Sequence, residues 1–232
     1  MIDKIEAKSI LNKLKSMFDP KAVEGMARYG INPKNNYGVS VTTLRKMAKE
    51  IGRVHQLAEQ LWSSGIHDAR MLACLIDDAE KVSERQMGKW VKDFDSWDIC
   101  DICCSTLFDK TRFAYQKTTE WTKRKEEFVK RAGFVLMACL CVHDKEAPDE
   151  KILKFLPVIK REAGDDRNYV RKAVNWALRH IGKRNLKLNR IAIKAAQEIK
   201  KIDSKTARWI ASDAIRELRS EAVQKRLRRK SK

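Results

Sequence analysis

Apolar residues recur at helical spacing along almost the whole chain, and no segment alternates apolar and polar residues convincingly in the manner of a strand. Residues that break helices are scarce, because the chain has only 9 glycines and 4 prolines in 232 residues. This composition disfavours a turn-rich β-sandwich, a collagen-like repeat and a disordered linker. The pattern predicts helices over residues 3–17, 20–29, 41–51, 54–63, 67–79, 83–94, 96–109, 112–122, 126–143, 149–162, 168–183, 187–202 and 204–220.

Capping residues support several of these helices. Ser83 and Gln86 form a capping box, in which each side chain can hydrogen-bond the other residue's backbone amide. Asp149 and Ser204 are predicted N-caps because their side-chain oxygens can accept from the first turn. Four glycines lie where helices should end, namely Gly30, Gly52, Gly65 and Gly182.

Two segments, 71–78 and 136–144, are almost wholly apolar and resemble each other in sequence. An inner helix of stacked helical hairpins has this character because it contacts neighbours on nearly every side. The pattern favours an all-α solenoid of HEAT-like repeats over a four-helix bundle. We expect a single HEAT-like repeat domain over residues 1–224, followed by a basic C-terminal tail over residues 225–232.

Three features of the sequence bear on where the protein is located: the start of the chain, the length of its longest apolar run and the surroundings of its cysteines. No secretory signal precedes the first predicted helix, so we expect a cytoplasmic protein. The longest apolar run, residues 132–142, is shorter than the roughly 20 residues that cross a bilayer. The six cysteines lie in apolar surroundings typical of reduced core thiols. Cys100 and Cys103 have the spacing of metal ligands but lie within a predicted helix among apolar residues, which disfavours a metal site.

The chain is strongly basic. Its 50 Lys and Arg residues against 31 Asp and Glu residues give a formal net charge of +19. Such an excess favours a polyanionic partner, nucleic acid first and an anionic membrane surface second. Most of the excess lies after Gly182, where the alternative is a solvated helix face followed by a frayed tail.

The predicted helix 168–183 has an apolar face and a basic face. Helical geometry places Trp176 on the basic face with three cations, Lys172, Arg179 and Lys183. An indole among cations suits contact with sugars or bases beside phosphates. The alternative is that Trp176 packs under a neighbouring helix, with the lysine stems around it.

Trp97 and Asp101 lie one turn apart on the predicted helix 96–109. A carboxylate beside an aromatic ring is a candidate catalytic group, or simply a charge near the start of a helix. Arg131 opens the apolar helix and should be buried, where it would bind a carboxylate or a phosphate. The alternative is that Arg131 forms a structural ion pair with Asp98 or Asp101.

Other classes of site find no support in the sequence. There is no glycine-rich phosphate loop, dinucleotide fingerprint or nucleophile elbow. Metal-ligand spacing is absent among the four histidines, His55, His67, His143 and His180. Packing in the core or between helices is predicted for four further tryptophans, Trp62, Trp90, Trp121 and Trp209.

Three blocks, in this order, resemble the AlkD-type DNA alkylation repair proteins: residues 95–101 (DSWDICD), 128–134 (FVKRAGF) and 170–179 (VRKAVNWALR). The resemblance runs from about residue 22 to residue 219. It implies a superhelix of HEAT-like repeats whose concave basic groove holds duplex DNA. It also implies a monofunctional DNA glycosylase that removes purines alkylated at N3 or N7, without a metal or cofactor.

The same resemblance assigns roles to four side chains. Trp97 and Trp176 match the two groove tryptophans, Asp101 matches the catalytic aspartate, and Arg131 matches an arginine that holds the DNA backbone. We therefore expect these four side chains to meet around one sugar. Tyr29 is a loose match to an N-terminal tyrosine of the family.

The implied partner is double-stranded DNA that contains alkylated bases, with no membrane and no obligate protein partner, so the protein is expected to be a monomer associated with the nucleoid through DNA. The sequence departs from the family at Ser96, where some members carry another tryptophan, and in its N-terminal segment. Some family members bind DNA without excising bases, so a HEAT-repeat protein that only binds damaged or branched DNA is the alternative. A protein-interaction scaffold is a third possibility.

Overall fold

The computed structural model describes residues 6–230, which form helices and short 3-10 segments with no strand in that range. They belong to two compact units, Met1–Phe113 and Ala114–Lys232. The N-terminal unit contains α1 (Ala7–Ser16), α2 (Pro20–Arg28), α3 (Val41–Ile51), α4 (His55–Ser63), α5 (His67–Ile76), α6 (Glu84–Trp90) and α7 (Trp97–Thr106). The C-terminal unit contains α8 (Ala114–Trp121), α9 (Glu127–His143), α10 (Asp149–Leu153), α11 (Phe155–Glu162), α12 (Asn168–Gly182), α13 (Leu186–Lys200), α14 (Lys205–Arg219) and α15 (Glu221–Lys230).

The inner helix of the N-terminal unit is α5, which packs against α3, α4 and α7. Every residue of α5 except Arg70 and Leu75 is buried. Beside it, the indoles of Trp62 and Trp90 stack with centroids 4.0 Å apart and ring planes 3° apart. This apolar helix is therefore enclosed by its neighbours, as its sequence predicts.

The inner helix of the C-terminal unit is α9, which packs against α8 and α12. Every residue from Val129 to Cys141 except Lys130 is buried. The amphipathic helix α12 also contacts α13 and α14. The two resembling apolar segments thus play the same structural part, each in its own unit.

The predicted helix 149–162 is two helices in the structure, separated at Lys154. Pro157 explains the interruption, because it has no backbone N–H to donate to the carbonyl of Leu153. Asp149 is not an N-cap, since Pro148 occupies the capping position. The Asp149 carboxylate accepts a hydrogen bond of 2.8 Å from the Asn185 side chain, which holds it against α13 rather than at its own helix start.

The chain ends differ from the expected pattern. The predicted first helix includes residues 3–5, which lie outside the described residues, and α1 begins at Ala7. The segment expected to form a tail is helical as far as Lys230, and residues 231–232 are also outside the described range. Val223 and Leu227 are buried one turn apart, and α15 contacts α14. A domain boundary at residue 224 stays a prediction.

Most predicted caps are confirmed. Ser83 and Ser204 accept hydrogen bonds from backbone amides in the first turns of α6 and α14. Gln86 does not complete the capping box, because its side-chain amide donates to Asp77 at 2.7 Å. Gly30, Gly52 and Gly65 lie at helix ends with positive φ angles, whereas Gly182 is the last residue of α12.

All six cysteines are buried thiols, as predicted. Trp62, Trp90 and Trp121 are buried, whereas Trp209 is 41% exposed and packs only between helices, where Arg171 of α12 lies over its ring. Among residues 6–230, no helix combines the length and the apolar character that crossing a bilayer requires. Within the same range, no group of three or more His, Cys, Asp and Glu side chains is arranged to hold a metal ion.

Gly133 lets α9 approach α8 closely. A Cβ atom at this position would lie 2.8 Å from both the backbone nitrogen and the Cγ2 atom of Thr122. We expect Gly133→Ala to lower the free energy of unfolding by about 1–3 kcal/mol, because the overlap involves backbone that cannot move aside. Chemical denaturation measures this effect. Gly88→Ala in α6, where a Cβ meets nothing within 4 Å, should be neutral or stabilising, and equal effects of the two substitutions would contradict the packing argument.

Candidate functional site

The start of α7 carries the first candidate residue, Trp97. Its indole is partly exposed, and Nε1–H donates to the backbone carbonyl of Tyr29 at 2.9 Å. Tyr29 follows α2, and 78% of it is exposed. The hydrogen bond fixes the orientation of the indole and places two partly open aromatic residues in the same region of the N-terminal unit.

A largely buried ion pair that no local sequence pattern predicts, His67 with Asp98, lies beside Trp97. His67 Nε2 lies 3.0 Å from Asp98 Oδ2, and the Ser96 hydroxyl donates to Asp98 Oδ1 at 2.8 Å. Burial alone would lower the pKa of His67, but the hydrogen bond and charge of Asp98 raise it above its ordinary value. Burial alone would raise the pKa of Asp98, but the hydrogen bond and charge of His67 lower it. The pair therefore favours imidazolium and carboxylate.

Asp68, the residue after His67, ties the irregular stretch 31–40 to α5. Its two carboxylate oxygens accept hydrogen bonds of 2.7 Å from the backbone amides of Tyr37 and Val39. The Asn32 side chain also donates to Asp95 at 2.7 Å, immediately before α7. The adjacent polar residues His67 and Asp68 at the start of a mostly apolar helix are the sequence signal for this scaffold. It connects the segment after Tyr29 to the segment before Trp97.

Asp101 lies one turn after Trp97 on α7. It is partly exposed, whereas its neighbours Cys100 and Ile102 are buried. The carboxylate therefore lies at the margin between the apolar side of α7 and its accessible side. This placement suits a group that must reach a bound molecule from a rigid helix.

Arg131 lies in the first turns of α9 and is 5% exposed, so its predicted burial is confirmed. Its Nη1 donates to the backbone carbonyl of Tyr169 at 2.7 Å. The ring of Tyr169 also contacts that of Phe128, with centroids 5.3 Å apart. The guanidinium is thus held by the start of α12 within the C-terminal unit.

The basic side of α12 has one open cation and two that are already paired. Lys172 is exposed. Lys183 donates to Glu217 at 2.6 Å, and Arg179 pairs with the same carboxylate. Burial would raise the pKa of Glu217, but the Lys183 hydrogen bond and the charges of both cations lower it. Glu217 therefore neutralises part of the positive charge that the sequence places on this face.

Trp176 is partly exposed and meets the ring of His180 edge to face, with centroids 5.8 Å apart and planes at 79°. Burial, together with the nearby charges of Lys183 and Arg179, lowers the pKa of His180 to about 4. The imidazole beside Trp176 is therefore neutral at pH 7. The indole of Trp176 therefore contacts an uncharged ring, with the cations Lys183 and Arg179 nearby.

The His67–Asp98 pair predicts how stability depends on pH. Since the pKa of His67 is raised on folding, its contribution is complete below its ordinary value of 6.5 and is lost as the pH rises through the raised value. The contribution of Asp98, whose pKa is lowered, is lost only as the pH falls below 3.8 and through the lowered value. We expect the melting temperature of His67→Gln to depend less on pH than that of the parent above about pH 6.5. Thermal melts should show no such flattening for His143→Gln, whose histidine is exposed, and parallel curves for parent and His67→Gln would contradict the pairing.

A family model and a solved structure both match this chain. The family model described as DNA alkylation repair enzyme matches residues 10–218. A solved structure from a family of proteins related to the HEAT-like repeat DNA glycosylases, with affinity for branched DNA structures, superposes with a TM-score of 0.80. The two chains are 20% identical, and 96% of each is covered. The superposition confirms the predicted HEAT-like all-α fold.

A second solved structure, of an engineered protein, superposes with a TM-score of 0.39 at 13% identity, over 77% of this chain and 91% of that one. That score is too low to bear on the fold. No curated protein sequence matched the chain significantly. The family model and the first superposition cover nearly all of the chain, so the similarity is not confined to one unit.

Proposed function

Because the chain belongs to the DNA alkylation repair enzyme family, we propose that it is a monofunctional DNA glycosylase that hydrolyses the N-glycosidic bond of N3- or N7-alkylated purines in duplex DNA. The observation that carries this proposal is Asp101, a partly exposed carboxylate one turn from Trp97 on a helix that is otherwise mostly buried. The net charge of +19 supports a DNA partner.

The chemistry needs little more than a placed carboxylate. An alkylated purine already carries positive charge, so its bond to the sugar is weakened and the base leaves as a neutral molecule. Positive charge then develops on the deoxyribose, where Asp101 would stabilise it electrostatically and orient the attacking water. Water adds to C1′ and its proton is released to solvent.

The remaining site residues would position the DNA. Trp97 and Trp176 would pack against the sugar-phosphate backbone at the lesion, and Arg131 and Lys172 would bind phosphates. Arg179 and Lys183 would also bind phosphates, each exchanging the Glu217 carboxylate for a phosphate oxygen. Such an exchange keeps both cations paired and makes their contribution to DNA affinity small.

Base release from alkylated duplex tests this proposal. The full chain would be incubated with duplex DNA containing 3-methyladenine or 7-methylguanine, and free base and abasic sites would be measured. Release of the alkylated base without strand cleavage supports the glycosylase. Binding of the same duplex without release of either base overturns it. Affinity should fall steeply with salt, because phosphate contacts release counterions.

The second candidate is a protein that binds damaged or branched DNA without chemistry. The specific observation in its favour is the structural relative of TM-score 0.80, which belongs to a family with affinity for branched DNA. This candidate requires tighter binding to a junction than to a duplex and no abasic product. In either case we propose that the protein acts as a monomer on nucleoid DNA in the cytoplasm.

A further inference from the structure

Three pairs of side chains join α12 to α14 in a regular ladder. Arg171 lies over the ring of Trp209, with its guanidinium carbon 5.3 Å from the ring centroid. One turn further along both helices, Asn175 donates to Asp213 at 2.7 Å. Another turn further, Arg179 pairs with Glu217. The repeated spacing fixes the register of the two helices, and Trp209 occupies the first rung.

Trp209 is the exposed member of this ladder. It is 41% exposed, whereas Trp62, Trp90 and Trp121 are each at most 2% exposed. Tryptophan is highly buried on average, so an indole with this much exposed surface is uncommon. The guanidinium of Arg171 limits the positions the ring can take, so the exposed indole is held in place by a cation instead of being enclosed by the core.

The acidic and the basic side chains of α14 differ in exposure. The two carboxylates of α14, Asp213 and Glu217, are partly buried and engaged with α12. The exposed positions of α14 carry only cations among their charged residues, namely Lys205, Arg208, Arg216 and Arg219. Two of these cations are already paired, Arg208 with the fully exposed Asp203 and Arg216 with Asp213, but both arginines are exposed, and such surface pairs contribute little.

We propose that Trp209 is a second nucleic-acid contact, at which an unpaired DNA base stacks on the indole while the cations of α14 bind the flanking phosphates. Stacking on an aromatic side chain needs an open base face, and bases inside an intact duplex do not offer one. The occupant is therefore a base at a strand end, a gap or a branch. The inference rests on the proposed function only in taking DNA as the partner.

The test compares two forked DNAs that differ only in their single-stranded arms. One fork carries arms of thymidine, and the other carries arms of abasic nucleotides with the same number of phosphates. We expect the full chain to bind the thymidine fork about 10-fold more tightly, as one stacked base would give. Trp209→Ala should abolish this preference, and Trp209→Phe should retain part of it.

Two matched variants separate stacking from charge and from loss of apolar surface. Arg208→Ala should weaken binding of both forks equally, because it removes a phosphate contact. Ile202→Ala, which trims another exposed apolar residue in the same unit, should keep the full preference. Melting temperatures will establish that each variant is folded.

Two results would overturn the proposal. One is equal affinity of the parent chain for the two forks. The other is a Trp209→Ala variant that keeps the preference, or that loses affinity for both forks alike, as the loss of a phosphate contact would. Base release from alkylated blunt duplex is measured in parallel. A chain that prefers thymidine arms yet releases no base would refute the glycosylase and leave the stacking contact standing.

Discussion

Replacing Asp101 with Asn will slow the release of alkylated base by about 10²–10³-fold while leaving the affinity for alkylated duplex nearly unchanged. The amide keeps the shape of the side chain but removes the negative charge that would stabilise the sugar cation. The measurement is single-turnover release of 7-methylguanine at saturating protein, which separates the chemical step from binding.

The control for this experiment removes a similar charge elsewhere. Asp166 is an exposed carboxylate before α12, and Asp166→Asn should release base at the parental rate. The role of Asp101 is refuted if Asp101→Asn retains the parental rate, or if its loss of activity follows from weaker DNA binding. A fall in melting temperature shared by both variants would mark a general effect of charge on the fold.

Replacing Arg184 with Ala will produce a large loss of stability. The guanidinium donates four hydrogen bonds to backbone carbonyls at and after the end of α9: Cys141 at 3.1 Å, Asp144 at 2.7 Å, Lys145 at 3.0 Å and Ala147 at 2.6 Å. Two of these carbonyls, of Cys141 and Asp144, are among those that the end of a helix leaves unpaired, and the other two belong to the loop that follows α9. We expect the free energy of unfolding to fall by about 3 kcal/mol, and the melting temperature by roughly 6–12 °C.

Arg190→Ala supplies the matched comparison, since Arg190 is an exposed cation on the next helix and its loss changes the net charge equally. Thermal melts and urea titrations of both variants measure the difference. Arg184→Lys should fall between the parent and the alanine variant, because an ammonium cannot reach four carbonyls at once. An Arg184→Ala variant as stable as Arg190→Ala would show that the carbonyls are satisfied by solvent.

Most helices could be predicted, because the spacing of apolar residues within each helix shows which of its faces is buried. The inner helices α5 and α9 have almost no polar face, so their environment follows from their own residues. Pro157 is a sequence signal for the break at Lys154, but the apolar spacing continues across it and by itself predicts one helix over residues 149–162. In α15 the many basic residues suggest a solvated tail, although the apolar pair Val223 and Leu227 is buried.

The candidate site was predictable only in part. Spacing alone places Trp97 and Asp101 on one side of α7, and both are partly exposed in the structure. The pairing of His67 with Asp98 depends on how α5 meets α7, and no local pattern encodes that packing. The convergence of Trp97, Asp101, Arg131 and Trp176 on one sugar stays a prediction.

The partners of the cations on the basic side of α12 could not be predicted from local spacing either. Helical spacing correctly sets Arg179 and Lys183 apart from the apolar face, but their partner Glu217 lies on α14. The register between two helices decides that contact, and it follows from side-chain packing along the whole ladder. The exposure of Trp209 has the same origin, since helical spacing alone does not show how much of an indole a neighbouring helix covers.

The enclosure of α9 has a consequence during synthesis. Its residues emerge from the ribosome before α12 exists to cover them, and translation proceeds at about 5–20 residues per second. For several seconds an almost wholly apolar segment is therefore exposed on the nascent chain, where only α8 is present to shield it within its own unit. Chaperone binding to nascent chains that stop between α9 and α12 would be the cellular trace of this order of assembly.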